Sequence, residues 1–206
     1  MSVTVKSAKE IELMRKAGHL LESVYEEMGR IIRPGISTME INECGEKAIR
    51  KRGCIPNFLH YGGFPASICV SVNDEVVHGI PRRDHILKEG DIVSLDAGLI
   101  YKGYHSDAAR TYAVGKISPE LKQLMDVTKQ SFFEGLKYAK AGNHLYDISA
   151  AIDDYVSQFG YGIVQDLVGH GIGTSLHEDP QVPNFRQKKR GMKLVPGMTL
   201  AIEPMI

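Results

Sequence analysis

The chain carries one internal spacing twice over, and that spacing limits the folds open to it. Gly35, Ile41 and Gly90 are matched by Gly142, Ile148 and Gly197, each pair 107 positions apart. The same step carries Asp96 onto Glu203. The local texts agree: LKEGDIVSLDAG, from Leu87, stands beside LVPGMTLAIEPM, from Leu194. Each reads as a turn glycine feeding a buried strand that ends in a carboxylate. Two copies of one pattern predict two α/β halves, about 8–112 and 119–206, each with a sheet face that has to be covered. A second likeness, VVHGIP against VGHGIG, pairs His78 with His170 at an offset of 92, so loop lengths differ between the halves.

Helices frame both copies. From Ala8 to Arg30 the residues Ile11, Met14, Ala17, Leu21, Val24 and Met28 recur at steps of three and four, the mark of an amphipathic helix. Pro34 and Gly35 break it. Ser37 or Thr38 caps the next helix, Glu40 and Glu43 fall in its first turns, and Gly53 stops it. Leu121 to Ala139 predicts a third helix, and HLYDISAAIDDYVSQFG a fourth after a glycine turn.

The 206 residues are 43% hydrophobic, enough to bury a core. Lys+Arg and Asp+Glu balance at 25 each, which leaves no footprint for DNA. The basic stretch RQKKRGMK, Arg186 to Lys193, reads as a solvated loop or as a contact with an acidic partner such as ribosomal RNA. No apolar run is long enough to span a membrane, and the start lacks a secretory pattern. Cys44, Cys54 and Cys69 form no CxxC pair, so the expectation is a reduced, cytoplasmic protein; a monomer is a separate expectation.

Four residues then stand out as metal ligands. Asp96 and Asp107 lie 11 apart, and GLIYKGY between them reads as a hairpin that returns the chain to the same place. A buried Asp is costly unless paired or metal-bound; the alternative is a pair of surface cap residues, as expected for Asp91. His170 is flanked by Gly169, Gly171 and Gly173, which let backbone crowd a ligand or permit unusual dihedrals, unless it is a plain turn histidine. Glu203 falls inside the apolar strand MTLAIEPMI, where an uncompensated carboxylate is expensive. Carboxylates with one imidazole suit hard or borderline divalent ions, and two ions can share bridging carboxylates, so the expected chemistry is metal-assisted hydrolysis. His177 falls near the same cleft, and neutral imidazoles such as His78 and His177 can donate to a developing oxyanion or hold an amide. Of the other histidines only His105, between the two aspartates, stays open. Phe58, Tyr61, Phe64 and Cys69 form either a small apolar pocket or ordinary loop packing.

Taken in order, NDEVVHGIP, GDIVSLDAG, YHSDAARTY, GHGIG, LHEDPQVPN and GMTLAIEPM resemble the motif set of the bacterial type I methionine aminopeptidases, across essentially the whole chain. The resemblance implies a duplicated pita-bread fold of the α+β kind, with antiparallel sheets covered by helices and the active site on the pseudo-twofold axis. It implies removal of the initiator methionine from nascent polypeptide amino termini, with a small second residue and transient ribosome contact. By it, Asp96 chelates one of two divalent ions (cobalt, manganese, iron or zinc), Asp107 bridges both, and His170 and Glu203 hold the other. His78 contacts substrate near the scissile amide, His177 supports the tetrahedral intermediate, and Glu203 or a further glutamate takes the proton. Phe58, Tyr61, Phe64, Cys69 and Leu176 resemble the methionine side-chain pocket, Leu176 standing where an aromatic is frequent. The family's fifth ligand and a pocket tryptophan fall on a stretch beyond Ile206. A single domain of this length is therefore expected to be incomplete at its carboxy end, with an exposed sheet edge and little activity. Two alternatives remain: a prolidase or aminopeptidase P-like peptidase, and a catalytically silent pita-bread protein that binds peptides.

Overall fold

The computed structural model describes residues 3–206. They fall into two compact units: Glu10–Leu121, and Lys122–Ile206 together with the first segment up to Lys9.

The first unit holds α1 (Ala8–Gly29), α2 (Thr38–Lys51), β1 (Ile55–Pro56), β2 (Ile68–Val72), β3 (Ile92–Tyr101) and β4 (Tyr104–Ala113). Strand β3 is the spine. β1 and β2 pair with different stretches of it, and β4 pairs with its full length, all antiparallel. The hairpin between β3 and β4 turns on Lys102 and Gly103, with φ of 50° and 83°. Positive φ at both positions is what a two-residue type I′ turn requires. Strict alternation then splits the sheet. Val93, Leu95, Ala97 and Leu99 join Ile68, Val70 and Val72 in a core with Leu21, Val24, Tyr25, Met28, Ile41 and Ile49 from the two helices. The opposite face carries Cys69, Ser94, Asp96, Gly98, Asp107 and Thr111.

The second unit holds α3 (Pro119–Leu136), α4 (Leu145–Ser157), β5 (Gly169–Gly171), β6 (Glu178–Val182) and β7 (Leu200–Ala201). Its antiparallel sheet runs β6-β5-β7. Val127, Leu145, Ile148, Ile152, Val156, Val182 and Leu194 form its core.

The repeat is carried by individual hydrogen bonds. In the first unit Gly35 N–H donates to Leu87 O at 2.8 Å, Leu87 N–H to Ile36 O at 2.9 Å, and Thr38 N–H to His85 O at 2.9 Å. In the second, Gly142 N–H donates to Leu194 O at 2.9 Å, Leu194 N–H to Asn143 O at 2.8 Å, and Leu145 N–H to Met192 O at 2.8 Å. Gly35 and Gly142 have φ of 88° and 94°, a region open to glycine at little cost. The helix starts match too. The Glu40 carboxylate accepts the Ser37 N–H at 2.8 Å, and Asp147 accepts the His144 N–H at 2.9 Å. A first-turn acidic residue, three positions after the cap, reaching back to it satisfies a donor the helix itself leaves free.

Two expectations change. Glu203 is not inside a strand: β7 ends at Ala201, where its pairing with the three-residue β5 ends at His170. And His78 is not the counterpart of His170. His170 pairs with Ala201; the position 107 earlier, Ser94, pairs with Ser71. Pairing register decides equivalence, and by register Ser71 stands where His170 stands.

Two hydrogen bonds from Arg190, at 2.9 and 2.6 Å, draw the Asp147 carboxyl down to about 2, against partial burial and with help from the His144 N–H. A free Asp titrates near ~3.9, so this stabilisation is present above that value and is lost as pH falls toward 2. Arg190→Met is expected to lower stability to urea at neutral pH by an amount that shrinks to nothing on acidification. A difference independent of pH would exclude this pair as its source.

Candidate functional site

In the first unit the candidate residues sit in rows across the sheet. Asp96 faces Cys69 on one side and Ala109 on the other, and Gly98 faces Asp107. Cross-strand partners share a face, so Asp96 and Asp107 are diagonal neighbours, about 7–8 Å or less apart. Asn57 N–H donates to Gly98 O at 3.3 Å, which extends β1 by one residue and brings Asn57 into the row of Gly98 and Asp107. A Cβ on Gly98 would lie 2.3 Å from Asn57 Oδ1. The Asn57 amide is buried, donates to Ser106 O at 3.2 Å, and leaves Oδ1 without a hydrogen-bond partner. Ser94 and Thr111 close the polar face with a hydroxyl pair at 2.8 Å.

Two neighbours register the charge there. Burial first, then the Asp96 and Asp107 carboxylates, push the Cys69 thiol well up, so it is a neutral wall beside Asp96. The same causes raise the Tyr25 phenol, which donates to Leu95 O at 3.2 Å and to Ala108 O. Two carboxylates near buried groups favour a cation among them.

The expected pocket residues are placed unequally. Phe58 and Cys69 are buried, Phe64 is half-buried, and Tyr61 is 48% exposed on the tight turn Tyr61–Gly63. His78 is exposed and has a φ of 58°, an unfavourable region for a residue with a Cβ. Gly79 holds it there: its N–H donates to Ser71 Oγ at 3.0 Å and its carbonyl accepts the Val70 N–H at 2.9 Å. A Cβ at Gly79 would sit 2.2 Å from Val70 O.

In the second unit His170 is buried on β5. Its flanking glycines serve close strand approach rather than unusual dihedrals. A Cβ on Gly169 would meet Ala201 O at 2.3 Å, and one on Gly171 would meet Asp179 O at 2.2 Å. His170 Nδ1 lies 2.8 Å from Gly171 O. A carbonyl only accepts, so Nδ1 carries the proton and Nε2 is turned to Glu203 Oε1 at 3.2 Å. That oxygen is buried and has no well-formed hydrogen bond, although its own backbone carbonyl accepts from Asn184 Nδ2 at 2.7 Å. The His177 ring stands 4.2 Å from that of His170, and Leu176 beside it is buried.

Each unit thus offers a pair of ligands of hard or borderline type. With a neutral His170, two lone pairs face each other at 3.2 Å, an arrangement that a cation between them would turn from repulsive to attractive. The donor sets fit a divalent metal. Among the described residues, no group of three or more His, Cys, Asp and Glu side chains is gathered to hold an ion. A shallow concavity of about 500 Å³ on α2, lined by Glu43, Glu46, Lys47, Arg50 and Lys51, holds none of the candidates.

Residues 12–206 match the model of metallopeptidase family M24. The chain belongs to that family. It is 52% identical to a methionine aminopeptidase of Clostridium acetobutylicum over 99% of this chain and 82% of that one. The crystal structure of methionine aminopeptidase from Thermotoga maritima superimposes with a TM-score of 0.96 at 41% identity, covering 98% of this chain and 82% of the other. A Xaa-Pro dipeptidase from Bacillus anthracis gives 0.82 at 30% identity, with 97% of this chain and 54% of that one covered. This M24 chain is therefore an enzyme, with the duplicated pita-bread architecture of two helix-covered antiparallel sheets.

Sequence reasoning passed over Asn57. The available signal was Gly98, a glycine in mid-strand, which marks close approach by another group. Gly98→Ala is expected to cost about 1–3 kcal/mol through overpacking against Asn57. Adding Asn57→Ala should recover most of it in chemical denaturation. Strictly additive losses would place the clash elsewhere.

Proposed function

We propose that this protein removes amino-terminal methionine from peptides and nascent chains, using two divalent cations held by Asp96, Asp107, His170 and Glu203. The observation that carries the reading is likeness to a methionine aminopeptidase over 99% of the chain at 52% identity. The match to the Xaa-Pro dipeptidase is weaker and covers 54% of that protein. The donor chemistry supports it: paired carboxylates on one face of β3 and β4, and an unsatisfied Glu203 oxygen beside the imidazole of His170.

Bound cations of this kind, cobalt, manganese, iron or zinc, supply Lewis acidity to the scissile carbonyl and to water. The remaining work falls to side chains. Glu203, or a further glutamate of the family's ligand set, accepts the proton given up by attacking water. His177 donates to the oxyanion that develops on the carbonyl, and His78 orients the amide. The neutral thiol of Cys69, with Phe58, Tyr61, Phe64 and Leu176, forms a compliant wall for an unbranched thioether. A small second residue is the family's preference, extended here to this chain.

Among the described residues no helix is long and apolar enough to cross a membrane. We place the activity in the cytoplasm, on a monomer that meets chains at the ribosome. Within the basic stretch Arg186 and Arg190 are engaged by Asp154 and Asp147, so Lys188, Lys189 and Lys193 are the cations offered to an acidic partner.

Substrate choice tests the reading. Met-Ala-Ser should be cleaved with far higher kcat/KM than Met-Leu-Ser, and Xaa-Pro dipeptides should be poor substrates. Preferred cleavage before proline would transfer the chain to the prolidase-like class.

Two substitutions separate the roles. Asp107→Ala should lose bound metal and activity together. His177→Ala should lower turnover by ~10²–10³, the usual cost of one oxyanion donor, while metal content by atomic emission stays near that of the parent. Near-normal turnover in His177→Ala would remove that residue from the chemistry.

A further inference from the structure

One buried ion pair in the second unit has no part in the chemistry above. Lys6 is 8% exposed, and its ammonium lies 2.6 Å from Glu178 Oε2. Thr4 donates its hydroxyl to the same carboxylate and accepts from Lys6. Ser175 N–H donates to Glu178 Oε1 at 3.2 Å. The Lys6 backbone is fixed as well, its N–H donating to Gly197 O at 2.8 Å. Gly173 is shaped to the pair: a Cβ there would stand 2.5 Å from Lys6 Cε and 2.6 Å from Glu178 Oε1. The contact joins positions 172 residues apart, so it is a tertiary strap and not a local turn.

Its place in the chain gives it meaning. Glu178 opens β6 and follows His177 directly, and Gly173 to Glu178 is the loop on which His177 rides. His177 shares a peptide bond with Glu178, so pinning the Glu178 side chain to Lys6 fixes the backbone that carries His177, whose ring meets that of His170 at 4.2 Å. His177 itself is exposed. Burying an ammonium and a carboxylate is costly and breaking such a pair is more so, which makes the loop geometry close to all-or-none.

We propose that Lys6, acting through Glu178, is a positioning residue that sets the orientation of the His177 imidazole for the aminopeptidase reaction. The proposal rests on the functional reading above for the role of His177, and on geometry alone for the coupling of Lys6 to it.

The test is a double-mutant cycle read in two ways. Lys6→Met keeps the aliphatic stem and removes the charge. In the metal-loaded protein it is expected to lower kcat on Met-Ala-Ser by ~10-fold or more, as misplacement of a reacting group does, with KM within about twofold. Lys6→Arg should restore most of the loss. In a His177→Ala background Lys6→Met should have no further effect on kcat. The second reading needs no activity. In the metal-free protein the ring-proton NMR signals of His177 should shift and broaden in Lys6→Met and return in Lys6→Arg, with those of His19 and His60 unchanged. An equal fall in kcat in both backgrounds, or unmoved His177 signals in a folded Lys6→Met protein, would overturn the proposal. If Lys6→Met does not fold, Glu178→Gln, which keeps the shape but puts a donor in place of one accepting carboxylate oxygen, must give the same pattern or the proposal fails. A parent protein that never releases methionine would sink the functional reading instead, and the NMR comparison would still decide the coupling.

Discussion

The register of β3 against its neighbours is the constraint on which the first unit depends. Leu95 and Ala97 are fully buried, and Asp96 between them faces the other way. A slip of one residue would drive the carboxylate into the apolar core and carry two core side chains onto the polar face. The cost of burying an unpaired charge makes that slip prohibitive. The type I′ turn at Lys102 and Gly103 fixes the partner strand, and so brings Asp107 to the face that Asp96 already occupies. The core and the candidate chemistry are two sides of one alternation.

The second unit reaches a comparable result with less strand. β5 is three residues long and β7 two, where β3 and β4 have ten each. Position there comes from close backbone approach, with Gly169 and Gly171 admitting Ala201 O and Asp179 O where any side chain would clash. His170 is then set by its own Nδ1–H, which the Gly171 carbonyl accepts. Such a tie fixes the tautomer and leaves Nε2 for the neighbouring carboxylate or a cation. The two units share their turn and cap hydrogen bonds while the lengths of their strands differ. The frame is repeated; the ligand-bearing ends are not.

Each unit carries backbone strain or unmet polarity of its own. His78 is held at positive φ by the docking of Gly79 on β2, Asn57 Oδ1 is buried without a donor, and Glu203 Oε1 is buried beside His170. Groups left in such states elsewhere in a protein would be costly. Within its own unit, Asn57 lies in the row of Asp107, and Glu203 lies beside His170.

The sequence by itself determined the repeat, the four helices, the hairpin between Asp96 and Asp107, and the four residues proposed as ligands. These are legible because they depend on local rules: steps of three and four for a helix face, steps of two for a strand, glycine where φ is positive, and the cost of an acidic residue in an apolar run. It also carried the family, through long motifs in order. Tertiary structure alone decided the rest. Which residue stands opposite His170's repeat position is a matter of strand pairing, and pairing chose Ser71 over the textually similar His78. Glu203 lies past the end of β7 because pairing with β5 stops at His170 and Ala201. Asn57 over Gly98, and Lys6 against Glu178, join segments far apart in the chain. No local pattern encodes such contacts, because they depend on how distant backbones approach each other after the cores have formed.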